Sequence, residues 1–174
     1  MEFIYIAIAF ILIDVVVRMI ILPKKRYKNI NNLLSNYSSS YRITKVNKEP
    51  YDYALDRQDL RILLKVINVP KNSQITINNV STWKLQWGGD PHRLGRSYPN
   101  ERYVHEVINF INAKANSDKK TIKIIILYPR TENILRYINE SELEIITPEK
   151  TPYGYKVTTY DNFEKDFEIL TNIK

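Results

Sequence analysis

Aromatic and cationic side chains crowd one stretch of this chain. From Trp83 to Tyr103 it reads WKLQWGGDPHRLGRSYPNERY, setting Trp83, Trp87, Tyr98 and Tyr103 among Lys84, His92, Arg93, Arg96 and Arg102. Aromatic faces stack on bases while cations hold phosphates. The same mixture makes hot spots on protein-binding surfaces. The competing account is structural: tryptophans in the core and arginines tying a long loop to the next helix. Trp83 is expected in the core. Trp87, His92, Arg93, Arg96, Tyr98 and Arg102 are expected to meet a protein or nucleic-acid partner, with Arg93 and Arg96 foremost. A loop of this length, rich in large side chains, is often a functional one.

Other chemistries lack their residues. Asp90 and His92 could ligate a metal, but His105 is the one other histidine. Two histidines without spaced carboxylates make a poor metal set. The chain has no cysteine, which excludes disulfides and thiolate sites and suits a reducing compartment. No serine sits in a nucleophile elbow. Gly88 and Gly89 are not followed by the Gly-Lys-Ser/Thr of a phosphate loop. The residues by themselves therefore predict no cofactor and no bound metal.

The N-terminus carries a different signal. Phe3 to Leu22 reads FIYIAIAFILIDVVVRMIIL, and about 20 apolar residues span a bilayer's hydrocarbon layer. A cleaved signal peptide needs a basic start and a small-x-small site, and neither is present. A buried core helix is the second alternative, but this segment is apolar on every face, which gives most of the weight to a membrane span. Residues 1–23 are thus expected to be a transmembrane anchor. Pro23 and a cluster of Lys24, Lys25, Arg26 and Lys28 follow. Positive loops stay inside, which places the N-terminus outside the cell membrane and the remainder in the cytoplasm. The same four cations can touch anionic lipid headgroups. Asp14 and Arg18 share one helix face at i,i+4. They form either an intrahelical pair or a contact with a partner helix in the membrane.

The chain of 174 residues has a formal charge of +7, and residues 1–22 contribute −1 of it, so the rest carries +8. That suits an anionic surface, lipid or nucleic acid. Beyond the anchor, 24–40 reads as a basic juxtamembrane segment, partly helical, and a serine-rich linker, or its helix is the first of the domain. Residues 41–174 suffice for one α+β domain. Strands are expected over 41–46, 51–55, 60–69, 74–79, 121–128, 143–147 and 155–159. LRILLKVINV at 60–69 is apolar on both faces and so central. An irregular stretch is expected from Val80 to Tyr98. A helix is expected over Pro99 to Ala115, with Glu101–His105 and Arg102–Glu106 on its exposed face. Thr131 can cap a short helix through Ile138. Asp161 and Glu164 have capping-box spacing before a last helix, whose core stripe is Phe163, Phe167 and Leu170.

That order resembles the core of the restriction-endonuclease-like fold, αβββαβ, extended here by αββα. More narrowly it is similar to the nuclease-related (NERD-like) domains, over roughly 29 to 128. The residues carrying the likeness are Asn68 in LLKVINV (63–69), Trp83 and Trp87 downstream, and Tyr98-Pro99-Asn100 before the helix. The resemblance implies a divalent metal held by a leading Asp and a strand acid two residues before a lysine. If Lys65 is that lysine, Leu63 holds the acid's place. If Asn68 fixes the alignment, Lys65 and Ile67 stand at the two positions. The pair is broken either way. Asp52, Asp56 or Asp59 could be the leading acid, but one carboxylate is poor coordination for a hard cation.

Three functions follow as expectations. The first is a membrane-anchored, non-catalytic binding or scaffold protein with a nuclease-like cytoplasmic domain, using the 83–103 loop. The second is a metal-dependent nuclease with a rearranged site around Asp52, Asp59 and Lys65 and Mg²⁺ as cofactor. The third is a structural subunit of a membrane complex, of the secretion or conjugation type, recruited through Asp14.

Overall fold

A computed structural model describes residues 2–71, 73–80, 82–87, 96–98, 101–114 and 118–172. For residues 2, 18, 86, 87, 96–98 and 101–104 it describes the backbone alone. The chain divides into two units, 1–38 and 39–174.

The first unit is helical. α1 (Glu2–Val16) passes through a π turn at Val17–Ile21 into α2 (Leu22–Ser35). Among the described residues this is the one helix long and apolar enough to cross a membrane. The π turn has a local cause. Pro23 has no N–H, and its ring would crowd the carbonyl four residues back. The Leu22 N–H reaches the Val17 carbonyl instead of that of residue 18, and the wider turn makes room for the ring. α2 therefore runs through the expected junction between anchor and linker, with Ile30, Leu33 and Leu34 as its buried stripe. Serines close it: Ser35 Oγ donates to the Asn32 carbonyl and Ser38 Oγ to that of Ser35, both at 2.7 Å.

The second unit is mixed α+β, with two five-stranded sheets among the described residues. One mixed sheet was expected. The first sheet contains β1 (Arg42–Lys45), β2 (Tyr53–Asp56), β3 (Leu60–Asn68), β7 (Lys120–Tyr128) and β10 (Lys156–Thr159), side by side in that order. β1, β2 and β3 form an antiparallel meander, and β7 and β10 add in parallel. β3 is central, as its two apolar faces require. The IIIL run at 124–127 is fully buried in β7 beside it.

The second sheet orders as β6 (Arg96–Tyr98), β5 (Trp83–Trp87), β4 (Ser73–Ile77), β8 (Thr131–Asn139) and β9 (Glu142–Ile145). Two expectations fail here. Residues 80–98 are not wholly irregular, because β5 pairs with β4 and β6. Residues 131–138 form a strand rather than a helix, so the C-terminal extension is βββα rather than αββα. β8 lies parallel to β4, with Ile75 opposite Ile134, and antiparallel to β9, with Tyr137 opposite Leu143. Strand pairing on both sides overrides a weak helical pattern.

α3 (Glu101–Asn112) contributes Val107 and Phe110 to a core. That core also takes Leu63, Ile67, Ile125 and Leu127 from the first sheet and Ile75, Ile77, Trp83 and Leu85 from the second. α4 (Phe163–Thr171) follows a 3₁₀ turn at Tyr160–Asn162 and packs on β7 and β10. Its stripe of Phe163, Phe167 and Leu170 is buried as expected. The capping box does not form, because the 3₁₀ turn moves the N-cap to Asn162, which makes no side-chain cap bond.

Candidate functional site

Three segments converge at one place on the first sheet. Asp52 stands just before β2, in an extension of the antiparallel ladder. Its N–H donates to the Leu64 carbonyl (2.8 Å), and its own carbonyl accepts from Val46 (3.0 Å). So fixed, its carboxylate Oδ2 accepts the Val66 N–H at 2.7 Å. Lys65 lies between those two β3 residues. Its side chain falls on the face of Leu63 and Ile67, since strand side chains alternate. On that face the Lys65 Nζ is 3.8 Å from Asp52 Oδ2 and 3.7 Å from Glu106 Oε2. Glu106 comes from α3, immediately before buried Val107 and one turn before buried Phe110.

The cluster is neither sealed nor free. Lys65 is 14% exposed, Asp52 22% and Glu106 33%. The cluster lies at the edge of an apolar core that includes Leu63, Ile67 and Val107.

The other candidate acids lie elsewhere. Asp59 is at the opposite end of β3, about 20 Å from Lys65 at ~3.3 Å per residue. It is 78% exposed and pairs with Arg57 at 3.6 Å. The expected grouping of Asp52, Asp59 and Lys65 is corrected on that ground: Asp52 and Lys65 meet, and Asp59 does not join them. Asp56 is taken by Arg61 (3.6 Å) and Lys119 (3.8 Å). Leu63 is fully buried, so the place that the resemblance gives to a second acid lies inside the core.

Glu106 was the residue missed. Its i,i+4 spacing to Arg102 placed it on the exposed helix face, whereas the fold turns it to Lys65. The buried stripe through Val107 was the available signal, because a neighbour of a buried position borders the core.

No family model, curated protein or solved structure matches this chain.

The loop residues are placed as follows. Trp83 is buried and stacks on Tyr155 with ring centroids 6.1 Å apart, the core role expected of it. Trp87 and Arg96 are register partners across β5 and β6, as are Leu85 and Tyr98. Arg102 is in the first turn of α3. His92 and Arg93 lie outside the described residues, and His105 is exposed. Among the described residues no three His, Cys, Asp or Glu side chains group as a metal cage. In the first unit Asp14, Lys24, Lys25 and Lys28 are exposed. Arg26 lies over the Tyr27 ring at 4.9 Å. The side chain of Arg18 is outside the described residues.

The ionisations that the fold perturbs belong to other residues. Burial lowers Lys123 and Lys156 below the ordinary lysine value, and it raises Tyr155 and Tyr160 above the ordinary tyrosine value.

Proposed function

We propose that this chain is a membrane-anchored, divalent-cation-dependent phosphodiesterase that acts on nucleic acid, with Asp52, Glu106 and Lys65 as its working residues. The observation that carries this is the Lys65 ammonium set between two carboxylates from separate elements. Glu106 supplies the second carboxylate whose absence from the sequence motif argued against metal chemistry. The element order α2–β1–β2–β3, then α3–β7, with β3 and β7 parallel neighbours, supports a restriction-endonuclease-like core.

The donor set suits a hard cation: two carboxylates from separate elements, partly open to water. Asp52 and Glu106 would hold it, and it would stabilise charge developing on the phosphoryl oxygens. Lys65 contributes a fixed positive charge beside the same phosphate and a donor to orient the attacking water. In the overall reaction the water oxygen bonds to phosphorus and the P–O bond to the leaving sugar oxygen breaks. One water proton ends on that leaving oxygen. The anchor and its flanking cations set the location: N-terminus outside, residues 24–174 in the cytoplasm, Lys24, Lys25, Arg26 and Lys28 at the headgroups.

The test uses the full chain in lipid nanodiscs, incubated with single- and double-stranded DNA and RNA and Mg²⁺ or Mn²⁺. Cleavage is expected, with Lys65→Met, Asp52→Asn and Glu106→Gln each losing at least about 100-fold. Asp59→Ala should cut normally. Cleavage indifferent to Glu106→Gln refutes the assignment.

Leu63 favours a second reading, in which the domain keeps the fold and binds without cutting. Arg93→Ala with Arg96→Ala then weakens partner capture and leaves the melting temperature unchanged. Unaltered capture counts against it.

A further inference from the structure

One edge of the second sheet is β9, and its side chains differ from those on the edges of the first sheet. There β1 carries Arg42 and Lys45 at its ends, and every residue of β10 is buried. Charged or covered edges resist pairing with another chain. β9 instead sets Leu143 and Ile145 into solvent, 52% and 60% exposed. The exposed large apolar residues described in the second unit are Val80, Tyr137, Ile138, Leu143, Ile145 and Ile169, and four of these belong to β8 and β9.

The ladder fixes which backbone groups of β9 face outward. The Ile146 N–H donates to the Ile134 carbonyl at 2.9 Å, so those two residues are a hydrogen-bonded pair. Bonded and non-bonded pairs alternate along an antiparallel ladder. Arg136 and Glu144 are then a bonded pair, while Leu143 and Ile145 turn their N–H and C=O groups away from β8. Among the described residues one of these four groups has a partner: the Lys150 ammonium approaches the Ile145 carbonyl at a long 3.4 Å.

A second copy of β9, antiparallel about a two-fold axis, must meet outward groups with outward groups. That allows centres at residue 143, 144 or 145. Centred on Leu143, the pairing sets Ile145 against Ser141. Centred on Ile145, it sets Leu143 against Thr147. Centred on Glu144, it sets Leu143 of each copy against Ile145 of the other, and each such pair exchanges two main-chain bonds. Their β8 neighbours Tyr137 and Leu135 extend the same apolar row on both sides. The opposite face carries complementary charge. Each Glu144 brings Arg136 at 3.8 Å and Lys150 with it, so two carboxylates meet at the axis among four cations. Glu142 of the second copy lies close to this Lys150, and among the described residues its own chain gives it the Asn139 amide and no cation.

We propose that β9 is a self-association edge, along which two copies of this chain pair antiparallel about Glu144 and join their second sheets into one. The edge shares no residue with the Asp52–Lys65–Glu106 cluster, and the proposal stands whether or not that cluster cuts nucleic acid. Strands of four residues bury less than the roughly 1,200 Å² of ordinary stable interfaces. The copies therefore exchange, and their capture has to be covalent.

The chain has no cysteine, so an introduced one reports without background. The test is copper-phenanthroline oxidation of the full chain carrying Glu144→Cys in lipid vesicles, read as disulfide dimer on a non-reducing gel. The axis brings the two Cα atoms of position 144 to about 4.5 Å, within disulfide range, and a dimer is expected. Leu143→Cys mixed with Ile145→Cys should also cross-link. Leu143→Cys alone should do so at least tenfold more slowly, because its two copies lie diagonally, beyond the roughly 7 Å a disulfide can bridge. Glu132→Cys, exposed near the start of β8, controls for random collision and should stay monomeric. Adding Ile145→Lys to Glu144→Cys puts a charge in the apolar row without disturbing a buried group, and it should slow cross-linking at least tenfold. The proposal is overturned if Glu144→Cys stays monomeric, cross-links no faster than Glu132→Cys, or is indifferent to Ile145→Lys. Leu143→Cys alone cross-linking as fast as Glu144→Cys overturns it too.

Discussion

Replacing Lys65 by Met removes the ammonium that bridges Asp52 and Glu106 and keeps the bulk of the side chain. At 3.8 and 3.7 Å, each ion pair has a gross Coulomb energy of roughly 4 kcal/mol at an effective dielectric constant of about 20. Exposures of 14, 22 and 33% let solvent screen most of that, leaving about 1 kcal/mol for each pair. Without divalent cation the variant should lose about 2 kcal/mol, or roughly 4–8 °C in melting temperature for a chain of this size. Asp52 keeps its bond from the Val66 N–H, so the loss should not grow to a full uncompensated-charge penalty. Added Mg²⁺ should then act in the opposite direction. A cation at about 100 times its dissociation constant contributes about 2.7 kcal/mol, and the variant, freed of a competing ammonium, should bind it more tightly than the native chain. Thermal unfolding of both proteins in nanodiscs, with EDTA and with Mg²⁺, measures this directly. The gap between them should shrink by at least half in Mg²⁺, and Glu106→Gln should abolish the response. A melting temperature indifferent to Mg²⁺ in both proteins would refute the reasoning.

Phe110→Ala should cost about 3–5 kcal/mol, since Phe110 is fully buried between the two sheets; urea denaturation checks this, and a loss under 1 kcal/mol would contradict the packing. Stability should pass through a maximum in the alkaline range. Lys123 and Lys156 titrate below 10.5 when folded, so up to that value the unfolded chain binds more protons and stability rises with pH. Tyr155 titrates above 10 when folded, so beyond about pH 10 the folded chain binds more protons and stability falls. Urea midpoints across the alkaline range should show both limbs, and Lys123→Met with Lys156→Met should flatten the rising one. Alkaline carbonate should leave the chain in the membrane fraction, and protease added outside whole cells should spare residues 39–174; release or digestion contradicts the anchor and its direction.

The parts legible in the sequence were those whose signal is local. Twenty mostly apolar residues in a row mark a helix long and apolar enough to cross a membrane without reference to anything else. LRILLKVIN and TIKIIILY are apolar on both faces, so only a central position could accommodate them. Phe163, Phe167 and Leu170 keep helical spacing, and they are buried. What failed depended on distant partners. Ile134, Leu135 and Ile138 fit a short helix as well as a strand, and the choice is made by β4, some sixty residues earlier. The site divided in the same way. Residue type points to Lys65 and Asp52, but it draws in Asp59 as well, because sequence cannot tell which end of β3 an acid occupies. Glu106 is 41 residues from Lys65 and meets it only because Val107 and Phe110 seat α3 on the sheet.

The most direct measurement is a crystal of the protein soaked in Mn²⁺, with anomalous scattering recorded at the manganese edge. The account predicts a peak at a coordination distance of about 2.1 Å from carboxylate oxygens of both Asp52 and Glu106, with the Lys65 ammonium displaced but adjacent. A crystal showing no manganese at that pair, with the Lys65 bridges intact, would contradict it.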